Sequence, residues 1–418
     1  MRDLIACSIE DVDKEILVDL QESIGNEFSG VEMSLMALHQ DQDPQASLSQ
    51  VLQFLKSIEA AVQQTFIEPY VAYIHTVEDL LTTVSLGRLP ITEHLSELLL
   101  LALDQVRVAC DSLLYQDHFD HQIMQQLSNQ LNKLTAVSKS KAPQLIVESM
   151  QLFASKVHPD LTYCVSELPV STTVTEKGDD QPRQISREIL QFLEKGESVN
   201  MDDAMRDITD EQRQALAVFE GLAGAVELRS ELWRGRTAKV LYGCLLINRQ
   251  LPAALQVDEL QLRAASYMHD VYMSLLPDNI LFKQDRYGPT DIMLLQQHPI
   301  QAYEMLRLMP GWQQAADMAH QHHERYDGRG YPLGIKGDEI HIGAQIIALS
   351  DAFFAITHQR ADRQYHKSIV RATLELNKGR GSQFSPLVLD ALNKVAALLW
   401  PASMDAERAD VERLSLAE

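Results

Sequence analysis

Apolar residues recur at three- and four-residue intervals along most of this chain, and no stretch reads as a convincing strand. In the first 160 residues the pattern is plain in Ile16-Leu-Val-Asp-Leu20, Val51-Leu-Gln-Phe-Leu55 and Leu95-Ser-Glu-Leu-Leu-Leu-Leu-Ala-Leu103. Leu86-Gly-Arg-Leu-Pro90, followed by Thr92 and Leu95, marks one helix stopping and the next starting. Further on, Thr209-Asp-Glu-Gln212 has the spacing of a capping box ahead of an apolar run through Leu222. Helical segments are then predicted at Thr237–Leu246, Glu259–Met268, Thr290–Met309, Gln313–His322, Gly343–Thr357 and Pro386–Leu399. Amphipathic helices bury their stripes by packing on one another, so the expected fold class is all-α.

The pattern lapses between Leu168 and Gln184, where Pro169-Val-Ser-Thr-Thr-Val-Thr-Glu-Lys-Gly-Asp-Asp-Gln-Pro182 is polar, β-branched and flanked by prolines. This reads as an exposed linker. The expected organisation is a helical bundle over 1–160, a linker over 161–190, a second all-helical domain over 191–400 and a tail over 401–418. A formal net charge of −23 argues against nonspecific binding of a nucleic-acid polymer and against docking on anionic lipid. No apolar run approaches a membrane span, and the first ten residues do not read as a signal peptide. Cys7, Cys110, Cys164 and Cys244 lack metal-site spacing and suggest buried thiols. The expectation is a cytoplasmic protein without membrane contact.

Chemistry concentrates in His320-Gln-His-His-Glu-Arg-Tyr-Asp-Gly-Arg-Gly-Tyr-Pro332. His322 and His323 can both offer imidazole nitrogen to a metal from one helix end. Gly328, Gly330 and Pro332 then force a tight loop expected to carry Tyr331 outward. Upstream lie His269-Asp270, after the apolar-patterned Leu262-Arg-Ala-Ala-Ser-Tyr-Met268, and His298. Downstream, Asp351 closes the mostly apolar Ala344-Gln-Ile-Ile-Ala-Leu-Ser-Asp351. A carboxylate in such a helix is costly unless paired or bound to a cation.

This ordered series, with Gly330-Tyr331-Pro332, resembles the HD-GYP family of metal-dependent phosphohydrolases over roughly residues 200–395. The resemblance implies a centre of one or two divalent transition-metal ions, iron or manganese. Asp270 would be the catalytic, bridging carboxylate, with His298, His322 and His323 completing one metal site and His269 and Asp351 serving the other. The family's usual substrate is cyclic di-GMP. Tyr331, beside Gly330 on the loop, would stack a base, and Arg360 and Arg363 match positions used to hold phosphate.

The departures are equally specific. Trp233, in Trp233-Arg-Gly-Arg-Thr-Ala238, stands where the family places its first histidine ligand, and its bulk could fill a second ion's space. Tyr272 and Met273 replace a glycine and a lysine after the His-Asp pair, and Phe354 replaces a second aspartate. Two readings follow: a signalling phosphodiesterase of reduced activity on cyclic di-GMP or a related cyclic dinucleotide, or an inactive module that binds nucleotide or partner proteins.

The N-terminal region resembles, more weakly, a histidine phosphotransfer domain through Tyr73-Ile-His-Thr-Val-Glu-Asp-Leu-Leu81, Gly87-Arg-Leu-Pro-Ile-Thr92 and Leu98-Leu-Leu-Leu-Ala-Leu-Asp104. That family carries its phosphorylated histidine in a Phe-Arg-x-x-His-x-x-Lys-Gly pattern. Here Phe54-Leu-Lys-Ser-Ile-Glu-Ala-Ala-Val62 puts Ile58 at that position. No phosphoacceptor is expected, and His75, one helix later, is expected at the surface. The resemblance implies two-component signalling, with a response regulator or histidine kinase as the bundle's partner.

Overall fold

Helices and turns make up the described residues of the computed structural model, which are 14–38, 44–65, 67–116, 119–157, 208–283, 285–357 and 369–396. No strand occurs among them, and one isolated bridge joins Arg380 and Phe384. The protein is all-α. It divides into two units, Met1–Ser166 and Glu167–Glu418. The expected linker 161–190 and tail 401–418 lie outside the described residues.

The first unit contains α1 (Lys14–Ala37), α2 (Pro44–Gln63), α3 (Glu68–Ser85), α4 (Glu93–Gln116), α5 (His121–Thr135) and α6 (Ala142–Val157). Its helices pack pairwise as a bundle, α1 on α2 and α4, α3 on α2 and α5, and α6 on α4 and α5. The helical spacing explains why. On α2, Leu48, Val51, Phe54, Leu55, Ile58 and Val62 form one buried stripe. Full burial of such a side chain stabilises by about 1.5–3 kcal/mol. Tyr70 and Tyr73 pin α3 to α4 by donating their hydroxyls to the carbonyls of Val106 (2.5 Å) and Ala102 (2.8 Å). The turn after α3 places Gly87 at φ +67°, where glycine is unstrained. The backbone N–H of Leu95 then donates to Thr92 Oγ1 at 3.2 Å, as the expected helix start requires.

The second unit contains α7 (Asp210–Glu227), α8 (Arg236–Gln250), α9 (Glu259–Met268), α10 (Pro289–Leu295), α11 (Gln297–Arg307), α12 (Gln313–Gln321), α13 (Ile342–Thr357) and α14 (Ile369–Asn377), with residues 386–396 also helical. Thr209 and Gln212 form the expected reciprocal capping box. The core of the unit gathers Leu245, Leu262, Met268, Ala319, Ile346 and Leu349 from four helices. Gly243 brings α8 close to α13, since an added Cβ would lie 2.4 Å from Ser350 Oγ and 2.9 Å from the Phe354 ring. Phe354 is buried in this contact, so the position read as a lost aspartate is part of the core.

One expectation needs correction. Thr290–Met309 is not a single helix but two, α10 and α11, meeting at Gln296. The physical cause is Pro299, which has no N–H to donate to the carbonyl of Leu295 four residues back. That unclaimed carbonyl becomes part of the site.

Candidate metal centre

His269, His298 and His322 share one local geometry. His269 follows the last residue of α9, His298 follows the end of α10 by three residues, and His322 follows the last residue of α12. The final carbonyls of a helix have no partner within it. Each imidazole uses one of them: Nδ1 lies 2.8 Å from Ser266 O in His269, 2.6 Å from Leu295 O in His298 and 2.7 Å from Ala319 O in His322. A carbonyl can only accept, so each Nδ1 carries the proton and donates it. In the neutral ring Nε2 is then a bare lone pair with its direction fixed.

Those lone pairs converge on Asp270, the residue that follows His269. Its Oδ1 lies 3.4 Å from His298 Nε2 and 3.8 Å from His322 Nε2. The two Nε2 atoms are themselves 3.2 Å apart, and both are acceptors. His323 joins them, its ring 4.8 Å from that of His298 and 4.1 Å from that of His322. Asp270, His298, His322 and His323 can each offer one ligand atom, all within 4.8 Å of one another. His269, Asp270 and Asp351 form a second such group. His269 Nε2 is enclosed, makes no hydrogen bond, and lies 3.6 Å from Asp270 Oδ2.

The electrostatics suit a cation. Burial lowers the imidazole pKa of His298 and His322, and takes that of His323 down to about 4, so these rings are neutral near pH 7 and free to ligate. Burial acts to raise the Asp270 carboxyl, but His269 and the Arg236 guanidinium outweigh it and hold it well below the usual carboxylate range. Facing lone pairs beside a carboxylate repel one another unless a positive charge lies between them. The donor set, neutral nitrogen with anionic oxygen, fits a divalent transition metal.

The Gly-Tyr-Pro loop packs directly on this cluster. A Cβ on Gly330 would fall 2.3 Å from Arg325 N, 2.5 Å from Glu324 Cα and 2.6 Å from His323 O, so only glycine lets the loop lie on that backbone. Tyr331 N–H donates to His323 O at 3.2 Å, and the Tyr331 ring stacks on the His323 ring with centroids 4.8 Å apart. Tyr331 is therefore folded back onto a candidate ligand, half-buried, instead of being carried outward as its loop suggested. Arg360 and Arg363 lie outside the described residues.

Two residues at the site carried no sequence signal that singled them out. Glu324, buried directly after the His-His pair, accepts the backbone N–H groups of Leu333 (2.6 Å) and Gly334 (3.1 Å) and so ties the loop down. Arg236 reaches Asp270 Oδ2 at 2.8 Å and Asp351 Oδ1 at 2.5 Å. The side chain between these carboxylates is thus Arg236, not Trp233. Trp233 sits on a short turn and packs against Phe282 with centroids 5.7 Å apart. Met273 is half-buried on the turn after Asp270.

Residues 222–388 match the family model of the HD domain. A cyclic di-GMP phosphodiesterase response regulator of Xanthomonas campestris is 30% identical over 199 residues, which are 47% of this chain and 51% of that protein. A probable cyclic di-GMP phosphodiesterase of Vibrio cholerae is 35% identical over 135 residues, 30% of each chain. A 3'3'-cGAMP-specific phosphodiesterase of Vibrio cholerae is 30% identical over 202 residues, 47% of this chain and 36% of that protein. The chain thus spans about half or less of the length of these relatives. A helical domain with histidines and aspartates gathered in this order is an HD domain, the class of metal-dependent phosphohydrolases. Over these residues the second unit is similar to the HD-GYP branch of that family.

Proposed function

We propose that the second unit is a metal-dependent phosphodiesterase acting on cyclic di-GMP or a related cyclic dinucleotide in bacterial signalling, with low turnover. The observation that carries this reading is the convergence on Asp270 of imidazole Nε2 lone pairs whose Nδ1 atoms are fixed by helix-end carbonyls. Asp270, His298, His322 and His323 would hold a divalent ion, with iron or manganese favoured. When bound, such an ion acidifies a water and offsets phosphate charge. The chain's own residues orient the ligands through the three carbonyls, and Glu324 and Gly330 hold the loop that sets Tyr331 at the cluster's edge. The names of the relatives, which cite cyclic di-GMP and 3'3'-cGAMP, support the dinucleotide class.

Low turnover follows from Met273. A side chain without charge leaves the departing oxygen without a fixed cation, and one such contact can be worth roughly 10²–10³ in rate. Trp233, which cannot ligate, acts in the same direction. These two residues also favour the second reading, a module that binds a cyclic dinucleotide or a partner protein without cleaving it. The deciding experiment is elemental analysis of the purified chain together with a cyclic di-GMP and cGAMP hydrolysis assay on the same sample. Stoichiometric metal with slow, metal-dependent cleavage is the expected result. Metal with no cleavage of either dinucleotide selects the binding module, and absence of metal after reconstitution in iron or manganese sinks both the phosphodiesterase and the centre.

For the first unit we propose docking of a response regulator or histidine kinase without phosphoryl transfer. Ile58 is 1% exposed in the buried stripe of α2, so nothing at that position can accept phosphate. His75 is exposed on α3, but its ring lies 3.5 Å from Glu59 and is grouped with Glu78, two carboxylates that would repel a phosphoryl group. Incubation of the chain with active histidine kinases and labelled ATP should give no acid-labile label. A phosphorylated histidine, at His75 or elsewhere, would overturn this.

A further inference from the structure

We propose that Arg236 takes the place of a second metal ion, so that the centre holds a single ion on Asp270, His298, His322 and His323 beside a fixed guanidinium. The proposal rests on the metal-binding reading above. Its first support is the division of labour on Asp270. One oxygen, Oδ1, faces the Nε2 atoms of His298 and His322, while the other, Oδ2, is held by Arg236 Nη1 at 2.8 Å. Arg236 Nη2 holds Asp351 Oδ1 at 2.5 Å. The guanidinium therefore engages two of the three members of the His269, Asp270, Asp351 group, the one other place beside Asp270 with clustered ligand atoms among the described residues.

An ion in that second group would lie beside the carboxylates that Arg236 holds. A guanidinium does not lose its proton in proteins, so a second ion there would stand against a fixed positive charge. Charge counting agrees. The two carboxylates carry two negative charges and Arg236 one positive; a single divalent ion brings the cluster to +1, whereas two ions with Arg236 in place would bring it to +3. Arg236 is also held from behind. It is the first residue of α8, and Glu227 accepts both flanking backbone N–H groups, from Gly235 at 2.7 Å and from Thr237 at 2.8 Å. Its side chain is 27% exposed, so the pair is shielded without being sealed. Trp233 meanwhile leaves the second group without a further ligand from this segment.

The consequence is a hydrolytic centre with one metal and one guanidinium, in which Arg236 is a positioning residue for Asp270. The test uses the full chain, stripped of metal and reconstituted with excess manganese. Wild type should bind one ion per chain, with the electron paramagnetic resonance signal of an isolated Mn(II). Arg236→Ala should raise the count to about two at saturation and give an exchange-coupled signal. Asp351→Asn in the wild-type background should keep one ion with affinity unchanged within a few-fold, which holds the proposal to account even where Arg236→Ala does not fold. Two ions in wild type, a folded Arg236→Ala that stays at one, or loss of the ion in Asp351→Asn each overturn the assignment while leaving metal binding intact. A wild type that binds no ion overturns this assignment and the reading beneath it together.

Discussion

Asp270→Asn should erase the stabilisation that metal confers. A ligand that binds only the folded state stabilises it by about 2.7 kcal/mol at one hundred times its Kd. Wild type is expected to show that gain in chemical denaturation with manganese against chelator, and the variant to show essentially none. The amide keeps the shape of the carboxylate but not its charge, and the charge serves both sides of the cluster. On one side Oδ1 stands 3.4 Å from His298 Nε2, and on the other Oδ2 holds the Arg236 guanidinium at 2.8 Å. Dinucleotide cleavage should vanish with the bound ion. An asparagine variant stabilised by manganese as strongly as wild type would show that the carboxylate is no ligand.

Gly330→Ala should be the most damaging single methyl group at the site. The added Cβ would meet only backbone, at 2.3–2.6 Å from residues 323–325, so no side chain can swing aside to admit it. Relief requires the loop to lift. That breaks the Tyr331 N–H bond to His323 O and strips Glu324 Oε1 of its two backbone donors. Overpacking of this kind costs about 1–3 kcal/mol, and each lost hydrogen bond to a charged group about 1.5–3 kcal/mol more. A loss of about 3 kcal/mol or more is therefore expected in urea unfolding, with weaker manganese binding because His323 loses its stacked neighbour. A variant as stable as wild type would mean that the loop does not rest on this backbone.

Much of the architecture was legible because helical periodicity is a local signal. The α2 stripe, the Thr209 capping box and the Gly87 turn each depend on residues a few positions apart. The candidate ligands were legible for a different reason: buried histidines and aspartates in apolar helices are costly, so their ordered recurrence stands out. What escaped was tertiary or a matter of direction. Arg236 lay in plain view within Trp233-Arg-Gly-Arg-Thr-Ala238, but nothing local says that its side chain crosses to Asp270 and Asp351 on other elements. Glu324 was one residue past the His-His pair, and its role depends on a loop returning over it. Glycine and proline mark a loop and so point Tyr331 outward, whereas Gly330 permits that loop to fold inward. The break between α10 and α11 is written in Pro299, but an apolar period that continues across it hides it.

The three helix-end carbonyls that aim the imidazoles have a kinetic consequence. Fraying of a terminal turn is ordinarily among the least costly motions a folded chain makes. Here the last turns of α9, α10 and α12 each hold a histidine by its Nδ1 proton, so unwinding any of them releases a ring to rotate its lone pair away. Ion exchange and helix-end opening are then one event. An ion held on His298 and His322 would then leave only as often as the ends of α10 or α12 come undone, and would in turn keep them wound.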